Sequence, residues 1–147
     1  MAMAQPKENI EDKENFVDEL KAGTKLMHGQ YTIESFLNAG GFGITYLATD
    51  SLNRTVVIKE CYPEAFCARV NKSVRARTSS YQSDFESIVS LFVREARSLA
   101  KLNHSGVVGV HQVFEDNETA YMALDLIEGR DLLTIIEEND RSLTPTQ

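Results

Sequence analysis

Three glycines stand close together in the stretch Phe36–Asp50, "FLNAGGFGITYLATD": Gly40, Gly41 and Gly43. A turn without Cβ atoms lets backbone amides approach a bound phosphate. Read by itself, such a cluster fits a plain hairpin turn equally well. Lys59 follows the apolar run Val56–Ile58. In a strand, alternation places it on the face of Val57, opposite Val56 and Ile58. An ammonium group there is costly unless it meets an anion, or snorkels to water at the strand end. Glu95 lies three residues after Phe92 and four before Leu99, beside a helical stripe formed by Phe92, Ala96 and Leu99. A carboxylate beside that stripe either takes a cation or stays solvated at its margin. Lys59, pointing off a facing sheet, is the natural cation.

These residues need strands on both sides of the glycines and a helix over one face. Tyr31–Asn38 alternates and reads as a first strand. Phe42–Asp50, rich in Ile, Thr, Tyr and Phe, reads as a second. Asp50–Arg54 is a turn and Thr55–Glu60 a third strand, so the three form an antiparallel meander. The segment from Cys61 to Ser83 contains Pro63 and a basic cluster, Arg69, Lys72, Arg75 and Arg77. It reads as a connection with little regular structure. Its cluster is more readily a solvated loop than a dock for an acidic partner. A helix is expected to begin at Ser83, with Glu86 three residues on completing a capping box, and to run to about Asn103. Strands at Val107–Glu115 and Thr119–Leu126 follow, then a short helix with Leu132, Leu133, Ile135 and Ile136 on its apolar side. The expected fold class is α+β: a five-stranded antiparallel sheet with one main helix.

Composition narrows the chemistry. The 147-residue chain is long enough for one domain with a core, and 42% hydrophobic and 25% charged residues suit a soluble globular protein. The net charge of −7 argues against nucleic acid as a partner, which would need excess Lys and Arg. It leaves room for a small phosphorylated ligand held by one lysine and backbone amides. No apolar run reaches membrane-spanning length, and the first residues carry no signal-peptide core. Cys61 and Cys67 have neither zinc nor thioredoxin spacing and read as reduced thiols of a cytoplasmic protein. His28, His104 and His111 form no metal spacing. Residues 1–21 hold six acids against three lysines.

In order, the glycine hairpin, "VVIK", the helical Glu95 and "LAKLNHSGVVGV" resemble the N-terminal lobe of a protein kinase. The match covers about Tyr31 to Leu133. The wording "GGFGITYLA" is most similar to the bacterial, eukaryotic-like serine/threonine kinases. The family's loop runs G-x-G-x-x-G-x-V. Here it corresponds to Asn38, Ala39, Gly40, Gly41, Phe42, Gly43, Ile44 and Thr45, with Leu37 as the apolar residue before it. Asn38 replaces the first glycine and tolerates unusual φ better than most side chains. Thr45 replaces the valine. The resemblance implies that Thr45 and Val57 cover an adenine ring and that Lys59 contacts the α- and β-phosphates of ATP, oriented by Glu95. It also implies a hinge with Leu124 beside the adenine pocket, backbone groups of Asp125 and Ile127 at the adenine edge, and Asp131 at the ribose. Glu95 comes 36 positions after Lys59, longer than in most of the family, so residues 61–82 read as an insertion.

The organisation that follows is a partly mobile acidic extension over 1–29, a kinase-like lobe over 30–127, and a hinge end with the short helix over 128–147. The family's H-R-D catalytic loop, D-F-G metal site and A-P-E motif do not occur in this sequence. The resemblance therefore implies an ATP-binding lobe of a serine/threonine kinase, cut before its C-terminal lobe and inactive by itself. Mg ligands and the protein substrate would be met in that lobe. Self-association through surfaces left exposed is expected. An alternative is a non-catalytic, kinase-like interaction module, motivated by Asn38 and the basic insertion. A Rossmann unit would need a helix straight after the glycines, where "ITYLAT" is strand-like.

Overall fold

The computed structural model describes residues 18–101 and 109–125. Strands β1 (Lys25–Leu26), β2 (Tyr31–Ala39), β3 (Gly43–Asp50) and β4 (Thr55–Cys61) come first. A hairpin of β5 (Cys67–Val70) and β6 (Ser73–Ala76) follows, then a 3-10 turn, Ser79–Tyr81. Helix α1 (Gln82–Lys101), β7 (Val110–Asp116) and β8 (Thr119–Asp125) complete the order. All pairings are antiparallel. The main sheet has the order β1-β2-β3-β4-β8-β7, and β5-β6 form a small second sheet.

The sheet has six strands rather than the expected five. The extra one, β1, pairs Lys25 with Thr32 and Leu26 with Tyr31. Two residues carry no readable alternation, so only the partner strand reveals it. Leu26 is fully buried and Leu20 nearly so, so part of the acidic extension completes the core. The 61–82 segment is likewise ordered as the β5-β6 hairpin, not as an irregular connection. The helix starts at Gln82, directly out of the 3-10 turn, whose Ser79 carbonyl accepts the Gln82 amide. Ser83 therefore sits inside the first turn and does not cap it. Glu86 instead accepts a hydrogen bond from Gln82 Nε2 at 2.8 Å.

Both faces of the sheet are covered, and this decides the character of β4. On one face Val56 and Ile58 join Ile44, Tyr46, Ala48, Tyr121 and Ala123, closed over by Leu20, Leu26, Tyr62, Cys67 and Val74. On the other, Val57, Met122, Leu124 and Val110 pack with Ala96, Phe92 and Leu99 of α1. A strand buried on both sides should be apolar throughout. Instead β4 buries adjacent opposite charges, Lys59 at 7% exposure and Glu60 at 0%. Each points to a different face. Among the described residues no helix is long and apolar enough to cross a membrane.

Candidate functional site

The glycine turn joins β2 to β3. Its tip closes with a hydrogen bond from the Gly40 amide to the Gly43 carbonyl at 2.9 Å. The three glycines have different reasons to lack a side chain. A Cβ on Gly43 would lie 3.0 Å from the Glu60 carbonyl oxygen and 3.2 Å from Lys59 Cε. Gly43 therefore lets β3 pass directly over the lysine. A Cβ on Gly40 or Gly41 would meet nothing within 4 Å, so packing within the chain does not demand glycine there. The Gly41 and Phe42 carbonyls accept from the Glu64 amide (3.2 Å) and the Tyr62 amide (2.9 Å). The amides of Gly41 and Phe42 have no acceptor among the described residues. Phe42 is 56% exposed. An open turn with its carbonyls occupied and two amides available suits an anion.

Asn38 lies in β2 opposite Thr45. It is not among the residues with positive φ. The unusual φ for which Asn was expected to be tolerated is not present: Asn38 is a strand residue, next to an irregularity in the β2–β3 register between Phe36 and Asn38. Thr45 is buried and sits opposite Lys59, which in turn sits opposite Met122. Burial pulls the Lys59 ammonium down from 10.5 to about 8, against a smaller upward influence from Cys61. Val57 pairs with Leu124, and Leu37 packs into the same apolar cluster. The Asp125 amide donates to the Gly109 carbonyl at 2.9 Å. Glu95 is half-buried on α1 next to the fully buried Ala96. Arg54–Asp50, Arg69–Glu60 and Arg75–Glu118 form ion pairs, and Glu95 is in none of these three. Ile127, Asp131 and the helix expected at Leu132–Ile136 lie outside the described residues.

The structure thus brings Gly43, Thr45 and Lys59 into contact register, with Leu37, Val57 and Leu124 as an apolar floor beside them. Among the described residues no group of three or more His, Cys, Asp and Glu side chains is arranged for a metal ion.

Sequence reasoning missed Glu60. Tyr46 Oη donates to its Oε1 at 2.8 Å and Tyr121 Oη to its Oε2 at 2.7 Å. Arg69 grips both oxygens, Nη2 on Oε1 at 2.7 Å and Nη1 on Oε2 at 2.9 Å. Burial and then the Glu60 charge hold the Tyr46 and Tyr121 hydroxyls protonated far above the usual tyrosine range. Burial opposes the Arg69 charge, but the Glu60 hydrogen bonds and charge outweigh it and raise its pKa. The signal was present in the sequence: Glu60 follows a strand run that puts it on the face of Val56 and Ile58, where it needs a cation as much as Lys59 needs an anion.

A five-strand core extended to six, one helix packed on one face and a glycine turn over a buried lysine define a kinase-type N-terminal lobe. The comparisons agree. The chain is 31% identical over 125 residues to the serine/threonine-protein kinase PksC of Streptomyces coelicolor, spanning 82% of this chain and 19% of that protein. It is 28% identical over 121 residues to PknA of Mycobacterium tuberculosis (78% of this chain, 24% of that protein). It is also 28% identical over 116 residues to PrkC of Bacillus subtilis (78% and 15%). A solved structure described as the apo form of PpkA-294 matches with a TM-score of 0.72 and 31% identity, over 84% of this chain and 44% of that one. No family model matches. Its homologues are bacterial serine/threonine protein kinases, and the chain has the fold of their N-terminal lobe. It spans between 15% and 24% of the length of these curated relatives.

Proposed function

We propose that this chain is an ATP-binding lobe, and that the whole protein transfers the γ-phosphate of ATP to hydroxyl groups of protein substrates. The observation that carries the reading is the glycine turn. Gly40 and Gly41 face open space, two turn amides are available, and Gly43 presses β3 onto the one buried lysine of β4. In this reading the turn amides and Lys59 hold the phosphates, and Glu95 orients the lysine. Leu37, Thr45, Val57 and Leu124 enclose the adenine, with Asp125, Ile127 and Asp131 at the hinge. Bound Mg·ATP supplies the phosphoryl group; the catalytic Asp and the Mg ligands are not in this sequence, so the chain alone is expected not to transfer phosphate.

The non-catalytic alternative drew on Asn38 and on the basic insertion. Asn38 does not have a positive φ, and three of the four basic residues of the insertion make contacts within the chain. Both observations favour the nucleotide-binding reading.

The test is titration of the full chain with Mg·ATP and ADP, followed by amide NMR. Shift changes concentrated at Gly40–Gly43 and around Lys59, with an affinity weaker than micromolar and lost in Lys59→Met, are expected. No change at these positions at millimolar nucleotide would refute the reading.

A further inference from the structure

We propose that the 61–82 insertion is an intramolecular clamp that sets the conformation of the glycine turn, and that Arg69 is its positioning residue. The consequence for nucleotide affinity rests on the reading above; the clamp itself does not.

The turn has few means of holding its own shape. Nothing lies within 4 Å of a Cβ built on Gly40 or Gly41, and Phe42 is mostly exposed. Beyond its internal Gly40–Gly43 bond, its tip is tied by two backbone hydrogen bonds, from Tyr62 to Phe42 and from Glu64 to Gly41. Both donors belong to the first residues after β4. The order of the turn tip therefore depends on Tyr62–Glu64 as well as on its own β2–β3 pairing.

That short segment is fixed by the hairpin behind it. Arg77 donates from Nε (3.0 Å) and Nη2 (2.9 Å) to the Glu64 carbonyl. The Phe66 and Cys67 amides both donate to the Pro63 carbonyl. The Arg69 guanidinium lies 5.0 Å from the centroid of the Tyr62 ring, a cation–π contact. Arg69 in turn is anchored in the buried interior against the sheet. Its bidentate pair with Glu60 is buried, at 9% and 0% side-chain exposure. Tyr46 of β3 and Tyr121 of β8 brace the same carboxylate from the strands flanking β4. Arg69 Nε also donates to the Asp18 carbonyl at 2.9 Å, and the Leu20 amide donates to Tyr46 Oη at 2.9 Å. The N-terminal segment is thereby drawn into the same knot. At the far end, the Val74 amide donates to the Asn117 carbonyl (2.9 Å) and Arg75 pairs with Glu118.

A buried ion pair is weak evidence for added stability but strong evidence for a defined register. Here the register matters because Glu60 and Lys59 are adjacent on β4. The grip on Glu60 from one face holds the strand that presents Lys59 on the other. It holds the hairpin that carries the tethers of the turn as well. Three residues of the basic cluster, Arg69, Arg75 and Arg77, thus tie the insertion back onto the rest of the chain, while Lys72 is exposed.

The decisive measurement is amide hydrogen exchange at Tyr62 and Glu64 in the full chain without nucleotide, compared with Met122 in the sheet. Arg69→Met leaves Glu60 buried without its cation, so the double variant Arg69→Met/Glu60→Gln, which removes both charges, carries the test. We expect at least tenfold faster exchange at Tyr62 and Glu64, unchanged protection at Met122, and ADP affinity at least fivefold weaker at an unchanged melting temperature. A purely structural pair would shift the melting temperature and all three amides together. Unchanged protection at Tyr62 and Glu64 overturns the clamp, whatever the nucleotide result. Faster exchange at both with no ADP response in the parent chain upholds the clamp and refutes nucleotide binding instead.

Discussion

Lys59 should release its proton near pH 8 in the nucleotide-free chain, two to three units below an ordinary lysine. The cause is burial at 7% exposure between the Gly43 backbone and the apolar cluster of Val57, Met122 and α1. The sign follows from proton counting. Between pH 8 and 10.5 the unfolded chain binds this proton and the folded chain does not, so stability rises with pH across that window. Below pH 8 both states are protonated, and the full cost of burying the charge, about 3 kcal/mol at 1.36 kcal/mol per unit, remains. Lys59→Met should then be the more stable protein at pH 7, by up to about 3 kcal/mol, with the gap narrowing by about 1 kcal/mol at pH 9. The buried thiols, raised to about 12 by burial, oppose this trend above pH 9, but both proteins share them, and urea unfolding of the pair cancels their effect. The direct assay is the 13Cε shift of Lys59 against pH. A midpoint near 8 that moves above 9 with saturating ADP is expected, because a phosphate beside the ammonium stabilises its charged form. At pH 9 only about one lysine in eleven would be charged at a pKa near 8. ADP affinity should therefore fall by about five- to tenfold from pH 7 to 9. A midpoint at 10.5 without ligand would sink the argument from burial, and one indifferent to ADP would sink the phosphate contact.

Further substitutions separate packing from ligand approach. Gly43→Ala forces a Cβ to 3.0 Å from the Glu60 carbonyl and 3.2 Å from Lys59 Cε, and should cost about 1–3 kcal/mol in urea unfolding as an overpacked contact. Gly40→Ala and Gly41→Ala meet open space; both should stay within about 0.5 kcal/mol of the parent while weakening ADP binding in calorimetry. Tyr121→Phe removes one of two donors to Glu60 Oε2 and should destabilise by about 1–3 kcal/mol on chemical unfolding. Glu118 holds a left-handed backbone, φ 64°, after Asn117 in the β7–β8 turn. Glu118→Gly gives the Asn-Gly pair that such turns prefer. It should raise the melting temperature despite losing an exposed pair with Arg75 worth at most about 1 kcal/mol.

Much of this protein could be read along the chain, because its signals are local. The alternation of β2 to β4, the helical stripe around Phe92, Ala96 and Leu99, and the turn glycines each need only neighbouring residues to be recognised. The order of glycine turn, Lys59 and Glu95 was enough to reach the kinase-like lobe. Opposite faces for Val57 and Val56 also followed from a period of two. What the tertiary structure decided are pairings across long separations. β1 exists only because β2 lies beside it, and Leu20 becomes core only because Tyr46 accepts its amide 26 residues on. The basic cluster looked like a solvated loop because its partners are set by tertiary pairing: Arg69 meets Glu60 on the Val56–Ile58 face of β4, and Arg75 meets Glu118. Charges are placed by what they meet in space, and a strand covered on both sides gives two adjacent residues, Lys59 and Glu60, two separate environments. The sequence by itself determined the glycine turn and the strand and face that carry Lys59. Only the folded sheet decided that the insertion, through Arg69, reaches back to hold them.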